Sequence, residues 1–275
     1  MTTNSEIERI VREEIRPIDD IMFFKMAEDK EFLEELLQVI LDEPELIIVD
    51  SVPQKTVGNT AGRSLVLDAF CKLGDNRLVN IEVQTSNKTD HGRRVRYHAS
   101  LITTNNTPPK TDFSNIPNVW VVYIAEFDIY EAGKSLYQVD RIVRQTGKKV
   151  DNGFAEFYVN ASSKDGSRIA RLMEVLCTTN VYSEEFPKTS NRKNLIFNDE
   201  KEKKSMNAAI QKLIASETEE LNQKLTAQSN QLTAQSNQIT AQSNQITAQS
   251  KQINDLTNQI AALKQQLANA TEKAK

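Results

Sequence analysis

Between Thr226 and Ile253 the chain repeats one heptapeptide almost letter for letter. Thr-Ala-Gln-Ser-Asn-Gln-Leu is followed by Thr-Ala-Gln-Ser-Asn-Gln-Ile twice and by Thr-Ala-Gln-Ser-Lys-Gln-Ile, with looser copies continuing to Leu267. A period of seven puts Leu225, Leu232, Ile239, Ile246, Ile253, Ile260 and Leu267 at one heptad position, a. Gln228, Gln235, Gln242 and Gln249 fill position d until Leu256 and Leu263 take over. The expectation is a long C-terminal coiled-coil helix over residues 216–275 that joins subunits through a half-polar seam. Gln and Ser at g and e fix neither orientation nor register strongly. Low-complexity disorder is the alternative, because Gln, Asn, Ser and Thr bury little apolar area per turn. Residues 1–215 leave room for one domain with a sizeable core.

Within that domain the informative stretch is a hairpin. Leu65-Val66-Leu67-Asp68-Ala69-Phe70 leads through Gly74-Asp75-Asn76 into Val79-Asn80-Ile81-Glu82-Val83-Gln84, two apolar-rich runs joined by a turn. Glu82 and Gln84 share one face of their strand, and Val79, Ile81 and Val83 share the other. A three-residue loop sets Asp68 opposite Glu82, so that two carboxylates and an amide carbonyl converge. An oxygen cluster of that kind suits Mg²⁺ or Mn²⁺. Asp68 has apolar neighbours on both sides, the pattern of a strand covered on both faces. An isolated carboxylate there is unfavourable by several kcal/mol unless a cation or donors compensate it. The other arrangement open at this point leaves Asp68 at a strand end in water and pairs Glu82 with Arg77 or Lys72 across the hairpin.

At these residues the chain resembles the PD-(D/E)XK nucleases, in which an Asp ending one strand is followed on the next by Glu-X-Lys or Glu-X-Gln. Further ordered blocks make it similar to the branch called PD-(D/E)XK family transposases, or recombination-promoting nucleases. They are Asp20-Ile21-Met22-Phe23-Phe24-Lys25, Leu67-Asp68-Ala69-Phe70, Asn80-Ile81-Glu82-Val83-Gln84 and Arg94-Val95-Arg96-Tyr97. Beyond these come Trp120-Val121-Val122-Tyr123-Ile124, Val139-Asp140-Arg141, and Asp151-Asn152-Gly153 before Tyr158-Val159-Asn160. The resemblance runs over roughly residues 15 to 215. It implies an α/β fold, a restriction-endonuclease-like mixed sheet flanked by helices, and a metal-dependent DNA endonuclease. Asp68, Glu82 and Gln84 would then be catalytic, with Asp68 and Glu82 holding Mg²⁺ (or Mn²⁺). Gln84 departs from the commoner Lys and brings no positive charge; Lys25, Lys72 and Arg93 are the candidates to supply it. In the family an acidic residue or Lys from the first block also approaches the site, which here means Asp20 or Lys25. Asp20 as a helix cap is the alternative. The second functional reading is a nuclease-like fold that has lost activity and serves as an oligomeric nucleic-acid-binding or scaffold protein.

Arg93, Arg94 and Arg96, with Lys88 and His91 just before them, form the densest basic patch near the hairpin. They lie on an expected helix from Arg93 to Thr103, and DNA phosphates call for such a donor cluster. A solvated helix face is the alternative. Tyr97 is read as packing that helix on the sheet. The formal charge of −4 does not advertise nucleic acid, although local clusters override a total.

His91 and His98 are the only histidines and form no triad with Ser or Cys. Cys71 and Cys177 are too far apart in sequence for a zinc motif and are read as buried free thiols. The first seventeen residues alternate charge and apolar side chains instead of forming a signal-peptide core. No run approaches the ~18 apolar residues of a membrane span, so a cytoplasmic protein is expected.

Helical spacing marks Ser5–Ile15, Glu31–Leu41 and Arg168–Leu176, and a further helix opening in the charged stretch Asp199–Lys204. Strands are expected at Ile47–Val49, Asn118–Ala125, Leu136–Val143 and Phe154–Val159, with a loop running through Pro187.

Overall fold

The computed structural model describes residues 4–59, 62–87, 90–179 and 182–273. The elements begin α1 (Asn4–Glu13), α2 (Asp20–Ala27), α3 (Lys30–Leu41), β1 (Ile48–Val57), β2 (Leu65–Leu73), β3 (Leu78–Gln84) and α4 (His91–Asn105). After a short 3₁₀ turn come β4 (Val119–Ala125), β5 (Leu136–Val139), β6 (Phe154–Asn160), α5 (Arg168–Leu176), α6 (Pro187–Asn198) and α7 (Glu200–Lys273). By contacts the chain divides into two units, Met1–Gln211 and Lys212–Lys275.

The first unit is built on a six-stranded mixed sheet of order β1-β2-β3-β4-β6-β5. β1, β2 and β3 pair antiparallel, β4 lies parallel to both β3 and β6, and β5 closes the far edge antiparallel to β6. Two local features dictate the centre. The Gly74-Asp75-Asn76 loop returns the chain on itself, with Leu73 N–H donating to the Arg77 carbonyl (2.9 Å). Asn76 takes φ 69°, a left-handed conformation that Asn adopts readily. A parallel β3–β4 pair then requires a long crossover, which α4 supplies.

Apolar residues alternating along β3 feed two cores. Val79, Ile81 and Val83 face the helices α2, α3, α5 and α6, while Leu78 joins Val95, Ala99 and Ile102 of α4 on the opposite face. β4 is buried along nearly its whole length, as its unbroken apolar run requires. This is the restriction-endonuclease-like α/β arrangement expected from the sequence, followed by a long C-terminal helix.

Three expectations need correction. The strand expected at Ile47–Val49 runs on to Val57, because it pairs with β2 along its length. The strand read as Leu136–Val143 ends at Val139, and beyond it Ile142 makes only an isolated bridge to Lys149, around a loop with Gly147 at φ 68°. The loop expected through Pro187 stops at Phe186, and Pro187–Asn198 forms a helix, α6, for a physical reason. Pro187 stands in its first turn, and its free N–H groups are capped from afar: Glu35 of α3 accepts from Lys188 N (3.2 Å) and Thr189 N (2.7 Å). Glu35 is buried, so Glu35→Ala leaves those donors dry. It is expected to destabilise the domain by about 2 kcal/mol in urea denaturation, where a loss under about 0.5 kcal/mol refutes the cap.

α7 starts where its own cap allows, Asp199 accepting from Lys201 N (2.9 Å) and Glu202 N (3.0 Å). Its first turns place Met206 and Ile210 in the core of the first unit. In the second unit the tail is helical rather than structureless. Its threonines return their hydroxyls to the carbonyl four residues back, at Thr226, Thr233, Thr240 and Thr247. Leu225, Leu232, Ile239, Ile246, Ile253 and Ile260 form an exposed stripe along it, and the side chain of Leu267 lies outside the described residues.

Candidate metal centre

Hairpin pairing runs from Lys72↔Leu78 through Cys71↔Val79 and Phe70↔Asn80 to Ala69↔Ile81, the register that the three-residue loop sets. The next rung would be Asp68 opposite Glu82, and there the ladder stops. β2 continues along β1 as far as Leu65, and β3 continues along β4 as far as Gln84, so the sheet forks. The Asp68 side chain fills the fork, Oδ2 accepting from Val83 N–H at 2.8 Å.

Burial pushes the Asp68 carboxyl up to about 7, and the negative charge of Glu82 adds to the shift; the Val83 N–H opposes it. More weakly, Asp20 raises it and Arg94 lowers it. Two carboxylates are thus held close in a poorly solvated place, an arrangement that a cation relieves.

Glu82 is only 1% exposed and is held on both oxygens. Oε1 accepts from Asn80 Nδ2 (3.0 Å) and lies 3.1 Å from His98 Nδ1; Oε2 accepts from Arg94 Nη2 (3.3 Å). Gln84 Oε1 accepts from the other arm of the same guanidinium, Arg94 Nη1, at 3.1 Å. Asp90 fixes the start of α4 by accepting from Arg93 N (3.0 Å). That phase turns Arg94 and His98, one turn apart, toward β3. Arg93 and Arg96 point to solvent.

The alternative partners for Glu82 are engaged elsewhere or remote. Arg77 is ion-paired to Glu43 and Asp75 and stacks 4.2 Å from the Trp120 ring, while Lys72 is exposed. Of the three candidates for the missing positive charge, Lys25 is buried and bonded to Glu28 (2.6 Å), Lys72 is exposed, and Arg93 pairs with Asp90 (3.3 Å). The cation beside Glu82 is Arg94. Asp20 is the first residue of α2, and the cap position belongs to Asp19, whose carboxylate instead binds Arg16 (2.7 Å). Asp20 approaches the site only closely enough for its charge to act on Asp68.

Asn80 and His98 escaped the sequence reading. A signal for both existed: Asn80 is two residues before Glu82 on the same strand face, and His98 is four after Arg94 on the helix. The other histidine lies apart, with Nδ1 of His91 2.8 Å from the Tyr123 hydroxyl and Nε2 2.8 Å from Asn87 Oδ1. Cys71 is buried and Cys177 half-buried, both as free thiols.

Arg63, Arg93, Arg94 and Arg96, with Tyr97 and His98, line an open cavity of about 780 Å³ that reaches the Glu82 partners. Tyr97 ties its floor together, donating to the Arg63 carbonyl (2.5 Å) and accepting from Asn59 Nδ2 (3.0 Å). Lys88 lies outside the described residues.

Among the described residues no three His, Cys, Asp or Glu side chains group closely enough to hold a metal by themselves. Asp68, Glu82 and the Gln84 amide oxygen are nonetheless hard oxygen donors. A magnesium-like ion commonly takes one or two carboxylates and completes its shell with water and substrate phosphate. The donor set fits that ion. No helix among the described residues is long and apolar enough to cross a membrane.

Residues 21–260 match the family model described as PD-(D/E)XK nuclease family transposase. No curated protein and no solved structure matches the chain.

Proposed function

The chain belongs to the PD-(D/E)XK nuclease family transposases, and from that membership we propose that it is a Mg²⁺- or Mn²⁺-dependent endonuclease. It hydrolyses phosphodiester bonds of DNA, in the manner of the transposase-like, recombination-promoting nucleases. The observation that carries this reading is the forked strand pair: Asp68 is held up to about 7 by burial and by Glu82, beside an arginine-lined cavity.

Asp68 and Glu82 would hold the cation, which when bound would lower the pKa of a water and steady charge on the cleaved phosphate. The Val83 N–H fixes one oxygen of Asp68 and leaves the other free to act as a donor. Asn80 Nδ2 holds Oε1 of Glu82 from one side, with His98 Nδ1 3.1 Å from the same oxygen, which sets the plane of that carboxylate. Gln84 orients the attacking water through its amide. Arg93 and Arg96, exposed on α4, contact backbone phosphates and set the register of the duplex without reading its sequence. Residues 1–215 form the nuclease-like domain in this proposal, and residues 216–275 a coiled-coil tail that joins subunits in the cytoplasm.

The test is nicking of supercoiled plasmid by the purified chain. Conversion to open circles is expected with Mg²⁺ or Mn²⁺ and none with EDTA. A second reading, an inactive oligomeric nucleic-acid-binding scaffold, draws on Gln84 standing where the superfamily commonly has Lys. Plasmid binding with no nicking in either metal would establish it instead.

A further inference from the structure

We infer that Arg94 is the positioning residue of this site, aligning Glu82 and Gln84 and carrying the positive charge that a lysine at position 84 would otherwise bring. The inference rests on the nuclease reading and adds a role that the sequence pattern does not assign.

The geometry is specific. One guanidinium spans two β3 side chains two residues apart, Nη2 to Glu82 Oε2 at 3.3 Å and Nη1 to Gln84 Oε1 at 3.1 Å. Arginine's rigid fork of donors suits such a pair, whereas a lysine presents a single point charge. Glu82 is almost wholly withdrawn from water, so its charge depends on Arg94 and on the Asn80 amide that donates to its other oxygen. The Arg94 side chain is itself 36% exposed and lines the arginine-rich cavity, so its charge is reachable from a phosphate held there.

The same contacts explain the glutamine. A lysine at 84 would bring its ammonium against the Arg94 guanidinium at hydrogen-bond range. Gln84 is neutral and accepts from it. Gln84 and Arg94 therefore form a matched pair that together replaces one strand lysine by a neutral acceptor and a helix-borne cation.

The test compares R94M, R94Q, Q84K and R94M/Q84K in the full-length chain, with melting temperature, Mn²⁺ affinity by calorimetry and single-turnover cleavage measured on each. R94M and R94Q are expected to cleave about 100-fold slower, in the range set by removing one charge-stabilising donor. Both should bind Mn²⁺ a few-fold tighter, because a positive charge has left the side of Glu82. Q84K alone is expected to slow cleavage about tenfold by like-charge contact, yet to raise the rate of R94M by about tenfold or more. That reversal of sign is a coupling which a merely structural arginine would not produce.

Loss of Mn²⁺ binding in a folded R94M or R94Q, cleavage within about threefold of wild type, or a Q84K that harms both backgrounds alike overturns the role. If R94M does not fold, R94Q carries the same comparison. A wild-type chain that neither binds Mn²⁺ nor cleaves overturns the nuclease reading and this role with it. In a chain that binds Mn²⁺ without cleaving, the affinity shift alone decides for or against Arg94.

Discussion

Asp68→Asn is expected to abolish divalent-dependent cleavage, by about 10³-fold or more, while making the metal-free protein more stable above neutral pH. The first half follows from removing an anionic oxygen donor, since each tenfold is about 1.4 kcal/mol and a metal contributes several. The second half follows from the fork in the sheet. In the unfolded chain Asp68 ionises near its ordinary value, about 4, and in the folded chain near 7. Below pH 4 the carboxyl is protonated in both states and nothing is at stake. Between pH 4 and 7 the unfolded chain loses its proton first, so the wild type loses stability relative to the Asn variant as pH rises. Above pH 7 the full difference is present, about 2 kcal/mol after allowance for partial solvation and coupling to Glu82.

A divalent ion should restore the wild type above pH 7 and do nothing for the variant, in the way any ligand of the folded state alone does. Urea denaturation at pH 4.5 and pH 8, with and without Mn²⁺, reads all four quantities. A variant that is less stable than wild type at pH 8, or that still nicks plasmid at the wild-type rate, ends the assignment of Asp68 as a metal ligand.

The second large effect is expected in the tail. Replacing Ile239, Ile246 and Ile253 together with Asn should dissolve the assembly, whereas deleting one Thr-Ala-Gln-Ser-Asn-Gln-Ile unit should leave it intact. The three isoleucines are 66%, 63% and 63% exposed on a helix whose only other apolar repeat is the small Ala of each heptapeptide. Full burial of an isoleucine is worth about 2 kcal/mol, so three layers in a pair of helices account for on the order of 10 kcal/mol. Gln at d cannot make this up. Removing one unit shortens the helix by about 10 Å and keeps every later a position in phase. Sedimentation of the three proteins decides. Assembly that survives the triple substitution, or fails on loss of one repeat, shows that the a positions are not the seam.

What the sequence disclosed and what it withheld divide by the range of the forces. The hairpin was legible because its loop, its apolar runs and its misfit acids lie within twenty residues. The helices α3 and α5 were legible for the same reason, their stripes and caps being local. α6 was not, because what satisfies its first donors is Glu35, far upstream. The role of Arg94 was hidden differently. Arg93, Arg94 and Arg96 are equivalent as letters, and only the phase of α4 against β3 turns one inward. That phase was partly readable: Val95, Ala99 and Ile102 mark the buried stripe, and Arg94 and His98 border it. Read from the letters alone, Lys25, Lys72 and Arg93 are as eligible as Arg94 to stand beside Glu82.

The Glu35 cap also sets an order of events during synthesis. Glu35 and Thr189 are separated by 154 positions. At about 5–20 residues per second, the interval between their emergence is roughly 8–30 s. Through that interval the buried face of α3 has no α6 to cover it, so the nascent chain carries exposed apolar surface and an uncommitted carboxylate. The heptad repeats follow α6 in the chain and so are made after it. On the proposed pairing through the tails, subunits would not meet until each ribosome had delivered the residues that close its own domain, and pairing by this route would select for chains that are already folded.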